Sequence, residues 1–328
     1  MQQRTLGRTG RSVSVISLGT WQLGGDWGTV TEADARTVLD ASVEAGVTMF
    51  DTADVYGDGR SEQLIGGYLA DNPQLDIFVA TKIGRRADQV ASNYTLANFR
   101  DWVDRSRANL RTDRLDLVQL HCPPTAVFAS DEVFDGLDTL VAEGAIANYG
   151  VSVETSDQAL TAIARPNVAS VQIILNAFRL KPLDAAIPAA IAAGVGIVAR
   201  VPLASGLLSG KYTAATEFPA DDHRNYNRHG ESFDVGETFS GVDYEQGVRA
   251  AQAFSALAAS EGLAPATAAL AWLAQLGGVS TVIPGARNAE QATANAAAGA
   301  APKLSASFDA GVRDLYDEYF RASIHERW

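Results

Sequence analysis

The 328-residue sequence predicts an α/β protein built as a (β/α)8 TIM barrel, with an N-terminal β-hairpin before the barrel and an extra C-terminal helix after it. Three observations carry that expectation. Short apolar runs of strand length alternate with longer stretches whose apolar residues recur at helical spacing. The alternation is repeated eight times. No composition break or long linker interrupts it, so residues 1–328 are expected to form a single barrel domain even though about 150 residues per domain is the usual prior. Parallel strands joined by helical crossovers suit a doubly wound sheet as well as a closed barrel, and periodicity does not separate the two; the count of eight selects the barrel.

Each element has its own signal. Residues 4–16 read as a hairpin, with Gly10 in the turn and Val13 and Val15 alternating with Ser12 and Ser14, a piece suited to plug one end of a barrel. The first strand is 16–19. Thr31-Glu32-Ala33-Asp34 resembles a capping box, opening a helix that stops at Gly46. The second strand, 47–50, precedes a helix with Leu64, Ile65, Tyr68 and Leu69 on one face. The third strand spans 76–81. Phe99, Trp102, Val103 and Leu110 stripe the next helix, the fourth strand is 115–120, and Val133, Phe134, Leu137, Leu140 and Val141 mark a further helix. The remaining strands are 146–151, 168–175, 195–201 and 279–283. Helices fit at 157–163, 184–193 and 265–274, with Pro265 suited to a first helical turn. Residues 204–243 form a polar, Gly-rich insertion of the kind that serves as a lid or binding loop, followed by an Ala-rich helix over 244–261. Phe308, Val312, Leu315, Tyr316, Tyr319 and Phe320 place a last helix within 306–327.

Composition narrows the function classes. Hydrophobic residues make up 47% and charged residues 20%, enough apolar surface for a large core. The net charge of −13, from 39 acidic against 26 basic residues, disfavours nucleic acid and anionic membranes and leaves a small molecule as the expected ligand. Cys122 is the single cysteine, so no internal disulfide or thiolate metal cluster is expected, in keeping with a reducing cytoplasm. The N-terminus has no apolar signal-peptide region, and no segment approaches the roughly 20 apolar residues of a membrane span. The expected oligomeric state is open.

In a barrel the C-terminal strand ends carry the chemistry. Strand two runs into Asp51 with Tyr56 just beyond, strand three into Lys82 and strand four into His121. Any one alone reads as a cap or a structural group; together they bring a carboxylate, a phenol, an ammonium and an imidazole to one pocket. A phenol with a pKa of about 10 is a poor proton donor, and an adjacent ammonium is expected to lower that value and make Tyr56 a usable acid. Asp51 supplies the counter-ion that a buried Lys82 requires. His121 is placed to hydrogen-bond and orient a carbonyl oxygen, and no metal is needed.

Phe50-Asp51-Thr52-Ala53-Asp54-Val55-Tyr56-Gly57 with Ser61-Glu62, then Ala80-Thr81-Lys82, then Asp113-Arg114-Leu115-Asp116-Leu117 running to His121, resembles the aldo-keto reductase family across nearly the whole chain. The resemblance implies a catalytic tetrad of Asp51, Tyr56, Lys82 and His121. It implies NADP(H) bound without a Rossmann domain, and a small-molecule carbonyl or alcohol substrate. Gly19-Thr20-Trp21 looks like the family's first loop, with Trp21 bordering cofactor and substrate. Ser152 and Gln172 match residues that hold the nicotinamide amide. The stretch from Pro202, Leu203 and Ser205 to Lys211 looks like the pyrophosphate-binding segment. Gly285, Arg287, Gln291 and Asn295 look like the adenosine site, where Arg287 suits a 2′-phosphate. Arg200 departs from the family pattern, standing where many members place an aromatic ring under the nicotinamide; a planar guanidinium also stacks on a ring. The basic loop 223–229 has no family match and reads equally as a phosphate clamp or a solvated lid. A cofactor-binding regulatory subunit resembling potassium-channel β-subunits is the main alternative to an enzyme, and the retained His121 favours the enzyme. A metal-dependent lyase is a further alternative, which the scarcity of clustered His, Asp and Glu opposes.

Overall fold

The computed structural model describes residues 1–24 and 30–328. Strands β1 (Gln3–Thr5) and β2 (Ser12–Ser14) pair antiparallel as the expected hairpin. Eight parallel strands follow among the described residues, each hydrogen-bonded to its neighbour in chain order. They are β3 (Leu18–Gly19), β4 (Met49–Asp51), β5 (Phe78–Ile83), β6 (Leu117–His121), β7 (Tyr149–Ser152), β8 (Val168–Ile174), β9 (Gly196–Arg200) and β10 (Val279–Val282). The sheet closes on itself: Ile16 bridges Val282 and Gly19 bridges Gly285, with Ser17 N–H donating to Val282 O at 2.8 Å.

The strands are apolar on both faces, and the two-residue period sorts them into two cores. Outward residues such as Phe50, Val118, Val171 and Ile197 join the large core beneath the helices. Inward residues Met49, Phe78, Ala80, Leu117, Val198 and Ile283 form a second cluster inside the barrel, completed by Leu6 and Val13 from the hairpin. The hairpin is therefore a plug at the strands' N-terminal ends. Its close approach requires glycine at position 7, where φ is +47° and a Cβ would lie 2.0 Å from Gly196 N.

Helices α1 (Glu32–Glu44), α2 (Arg60–Asp71), α3 (Leu96–Leu110), α4 (Thr125–Phe128), α5 (Asp131–Ala142), α6 (Ser156–Ile163), α7 (Ala186–Ala193), α8 (His223–Tyr226), α9 (Tyr244–Ser260), α10 (Pro265–Gln275), α11 (Ala289–Ala297), α12 (Ala306–Tyr319) and α13 (Arg321–Ile324) follow in order. The Thr31 capping box forms, with its hydroxyl accepting from Asp34 N–H at 3.1 Å. No single helix among the described residues is long and apolar enough to cross a membrane.

Several boundaries differ from the sequence expectation. The fifth barrel strand begins at Tyr149, because Ile146 makes only an isolated bridge to Leu115. The helix expected over 184–193 opens at Ala186, after a 3-10 turn over Lys181–Leu183. The C-terminal helix breaks at Phe320 into α12, α13 and a final 3-10 turn. Helix α11 has only Ala292 and Ala296 buried, so it carries almost no apolar stripe for the sequence to display. The 204–243 insertion is not a solvated loop throughout: 3-10 turns at Ala204–Ser209, Val235–Glu237 and Phe239–Gly241 flank α8, and His223 and Asn227 are buried.

Candidate active site

The inward parity of each strand carries from the apolar layer to its C-terminal end. Met49 leads to Asp51, Phe78 and Ala80 to Lys82, Leu117 to Gln119 and His121, and Val198 to Arg200. Polar groups at this end thus share one space because the strands share one register. Tyr56 arrives from the loop between β4 and α2. That loop is tied down by Thr52 N–H to Ala80 O at 2.8 Å, and it packs so closely on the first loop that a Cβ on Gly57 would lie 1.9 Å from Gly24 O.

Lys82 Nζ meets three oxygens: Asp51 Oδ1 at 2.5 Å, Thr52 O at 2.8 Å and Tyr56 Oη at 3.3 Å. Asp51 is fixed from its other side by Gln172 Nε2 at 2.8 Å and Gln119 Nε2 at 3.2 Å. The His121 ring stands edge-on to Tyr56, with centroids 6.0 Å apart. The structure therefore brings Asp51, Tyr56, Lys82 and His121 together. Burial lowers the affinity of Lys82 for its proton, but Asp51 and then Tyr56 outweigh it and hold the ammonium above its ordinary value. Burial, followed by the Arg85, Lys82 and Arg200 cations, keeps His121 well below its ordinary value, so the imidazole is neutral.

For Tyr56 the balance reverses the sequence expectation. Burial is the largest influence and pushes the phenol upward; Lys82 pulls it down, but not enough to bring it below its ordinary value. Tyr56 is accordingly a fully protonated phenol across the neutral range, and Lys82 serves the phenolate only once a proton has left.

The residues matched to a cofactor site occupy two ends of this surface. Thr20 Oγ1 donates to Asp51 O at 2.8 Å, and Trp21 stacks over Tyr56 at 6.1 Å and against His223 and Phe233. Ser152 Oγ accepts from Cys122 Sγ at 3.3 Å. Arg200 is buried, pairs with Glu237 and donates to Val153 O at 2.9 Å. After Pro202 and Leu203 the backbone turns left-handed at Ala204, Ser205 and Gly206, and it leads to the exposed Lys211. Beyond β10, Gln291 Oε1 accepts from Arg287 N–H at 2.9 Å and Asn295 Nδ2 donates to Gly285 O at 3.1 Å, so these four residues form one interlocked turn at the N-terminus of α11. Gln119, Glu237, Arg85 and Asp222 belong to this surface and were not singled out in the sequence. Parity with Leu117 and His121 marks Gln119; no local spacing marks Glu237, which returns from the 204–243 insertion. Asp222 binds Arg224 and lies 3.9 Å from Arg287, joining that insertion to the β10 end. Among the described residues no group of three His, Cys, Asp or Glu is placed to hold a metal ion.

The model of the aldo/keto reductase family matches residues 15–317. The uncharacterized oxidoreductase Mb2320 of Mycobacterium bovis is 32% identical over 297 residues, covering 87% of this chain and 84% of that protein. A probable voltage-gated potassium channel subunit beta of Oryza sativa is 30% identical over 312 residues, 90% of each chain. Among solved structures, the holo form of aldo-keto reductase AKR11C1 from Bacillus halodurans is similar with a TM-score of 0.77 at 28% identity, covering 96% of both chains. With its barrel closed as in that structure and the family model spanning nearly its whole length, the chain belongs to the aldo/keto reductase family and is an oxidoreductase.

Proposed function

We propose that residues 1–328 act as one barrel domain that reduces aldehydes or ketones with NADP(H), Tyr56 donating the proton. The observation that carries this reading is the triple contact of Lys82 Nζ with Asp51, Thr52 O and Tyr56 Oη. Reduced nicotinamide, when bound, supplies the hydride. A carbonyl oxygen between Tyr56 and His121 accepts hydrogen bonds from the phenol and from one N–H of the neutral imidazole. As negative charge grows on that oxygen, the proton passes from Tyr56 Oη to it, and the adjacent ammonium stabilises the phenolate left behind. Asp51 holds the ammonium in place, while Gln119 and Gln172 hold Asp51.

The polypeptide fits a phosphorylated dinucleotide on two counts. The left-handed run at Ala204, Ser205 and Gly206 shapes the turn after β9 and leads to the exposed Lys211, a cation suited to phosphate. The Arg287 side chain is 43% exposed at the N-terminus of α11, a position suited to a 2′-phosphate. Arg200 and Trp21 border the nicotinamide end. The likeness to the rice channel subunit supports the alternative of a regulatory subunit with little turnover, and the neutral His121 beside Tyr56 favours catalysis.

Tyr56→Phe separates the readings. It removes only the proton donor, so cofactor binding is expected to persist while aldehyde reduction falls by about 10²–10⁴-fold. Retention of the wild-type rate would remove Tyr56 from the mechanism, and absence of turnover in the wild type over a broad panel of aldehydes, ketones, sugars and steroids would favour the regulatory reading.

A further inference from the structure

Behind the catalytic loop lies a pair of buried carboxyl groups that the proton transfer does not use. Asp54 stands between Asp51 and Tyr56, has 0% exposure, and neither of its carboxyl oxygens has a hydrogen-bond partner. Glu62 on α2 is equally buried but satisfied: Oε1 accepts from Thr81 Oγ1 at 2.6 Å and Oε2 from Asn109 Nδ2 at 2.9 Å. The nearby cations are engaged elsewhere. Arg86 and Arg105 both bind the Asp58 carboxylate, the second at 2.9 Å. An ionised Asp54 would thus be a buried charge with a carboxylate neighbour and no direct counter-ion, which is far less favourable than the neutral acid.

The backbone of Asp54 is tied to the strand that carries Lys82 and to the loop after β5. Its N–H donates to Lys82 O at 3.1 Å, and its C=O accepts from Arg86 Nη1 at 3.5 Å. A backbone shift at Asp54 is therefore passed to Lys82, the residue whose ammonium holds Tyr56.

We propose that Asp54 is a positioning residue that the fold keeps as the neutral acid, and that its ionisation distorts the Asp51 to Tyr56 loop and sets the alkaline limit of catalysis. The part concerning catalysis rests on the carbonyl-reductase reading; the part concerning protonation does not. The groups that face Asp54 are Glu62 from α2, Arg86 from the loop after β5, Arg105 from α3 and the Val55 N–H of its own loop. Tyr94, in the turn before α3, also senses its charge. Burial and then Glu62 raise the carboxyl to about 7, against weaker downward pulls from Arg86, Arg105 and Val55. Because the folded value lies above the unfolded one, the folded chain keeps a proton that the unfolded chain releases. Stability contributed by this group therefore falls as pH rises from about 4 towards 7 and is level above that.

The test compares the full-length wild type with Asp54→Asn, an uncharged isostere of the protonated acid, with Asp54→Ala as a second uncharged variant should the amide disturb folding. Thermal unfolding without substrate is expected to show a stability advantage for the variant that grows from pH 5 to about pH 7 and is level above it. In steady-state reduction of 4-nitrobenzaldehyde with NADPH, the ratio of variant to wild-type kcat is expected to rise about tenfold between pH 6 and pH 8, as a group titrating near 7 requires. Parallel unfolding curves would overturn the neutral-acid assignment. Diverging unfolding curves with a constant kcat ratio would overturn the positioning role. A wild type that reduced no aldehyde would fail the reductase reading instead, and the unfolding comparison would still decide the state of Asp54.

Discussion

The side chain of Lys82 is 1% exposed, and its charge survives there because three oxygens meet the ammonium. Replacing it with methionine removes that charge, leaves Asp51 buried with amide donors alone, and takes away the group that stabilises the phenolate left by proton transfer. Lys82→Met is accordingly expected to lose hydride transfer, read by stopped flow, by a larger factor than cofactor affinity, read by fluorescence titration. Asp51→Asn should produce a milder form of the same defect, since the lysine stays in place but is less well held. Equal losses of rate and affinity would make Lys82 a binding residue. Asp51, Lys82 and His121 were legible in the sequence because each ends an apolar run, where strand parity decides which way it points. The state of Tyr56 was not. Proximity to a lysine is visible in a motif, but the depth of burial that outweighs the lysine is a property of the packed barrel.

At the scale of elements, the turn between β10 and α11 and the insertion after β9 approach each other through Asp222 and Arg287. Arg287→Ala should weaken NADPH by about 10–100-fold and NADH much less, because only NADPH carries the 2′-phosphate that charge-assisted hydrogen bonds recognise. Fluorescence titration of both dinucleotides checks this, and equal losses would remove Arg287 as the selector. The helices best read from sequence were those with strong apolar stripes, such as α3 with Phe99, Val103 and Leu110 buried. Helix α11 offers no apolar stripe to read, because alanine packs without marking a face. The 204–243 insertion reads in sequence as a lid or binding loop, but its internal order is not legible there, for another reason. Its buried residues, including His223 and Asn227, are polar, and partners distant in sequence such as Thr238 and Trp21, with the Ser232 and Phe233 N–H groups on Asn227 Oδ1, offset the cost of burying them.

For the molecule as a whole, the net charge of −13 is spread over a surface whose ion pairs, such as Arg11 with Asp76 and Arg313 with Asp309, are largely exposed. Exposed pairs contribute little and are weakened by salt, whereas self-repulsion among excess carboxylates is relieved by it. Raising NaCl from 20 mM to 300 mM is therefore expected to raise Tm by about 2 °C or more; a fall in a scanning-calorimetry series would mean that the ion pairs dominate. The closure of the barrel has a different bearing, on the order of events during synthesis. The Ser17 and Thr281 hydroxyls meet at 2.7 Å although 264 positions separate them. A nascent chain that has emerged only as far as β9 holds two unpaired parallel edges, one at each end of an open sheet, and neither finds its partner until β10 leaves the ribosome. Until then those edges are open to pairing with other chains, so the last stage of translation is when the chain most needs protection from association.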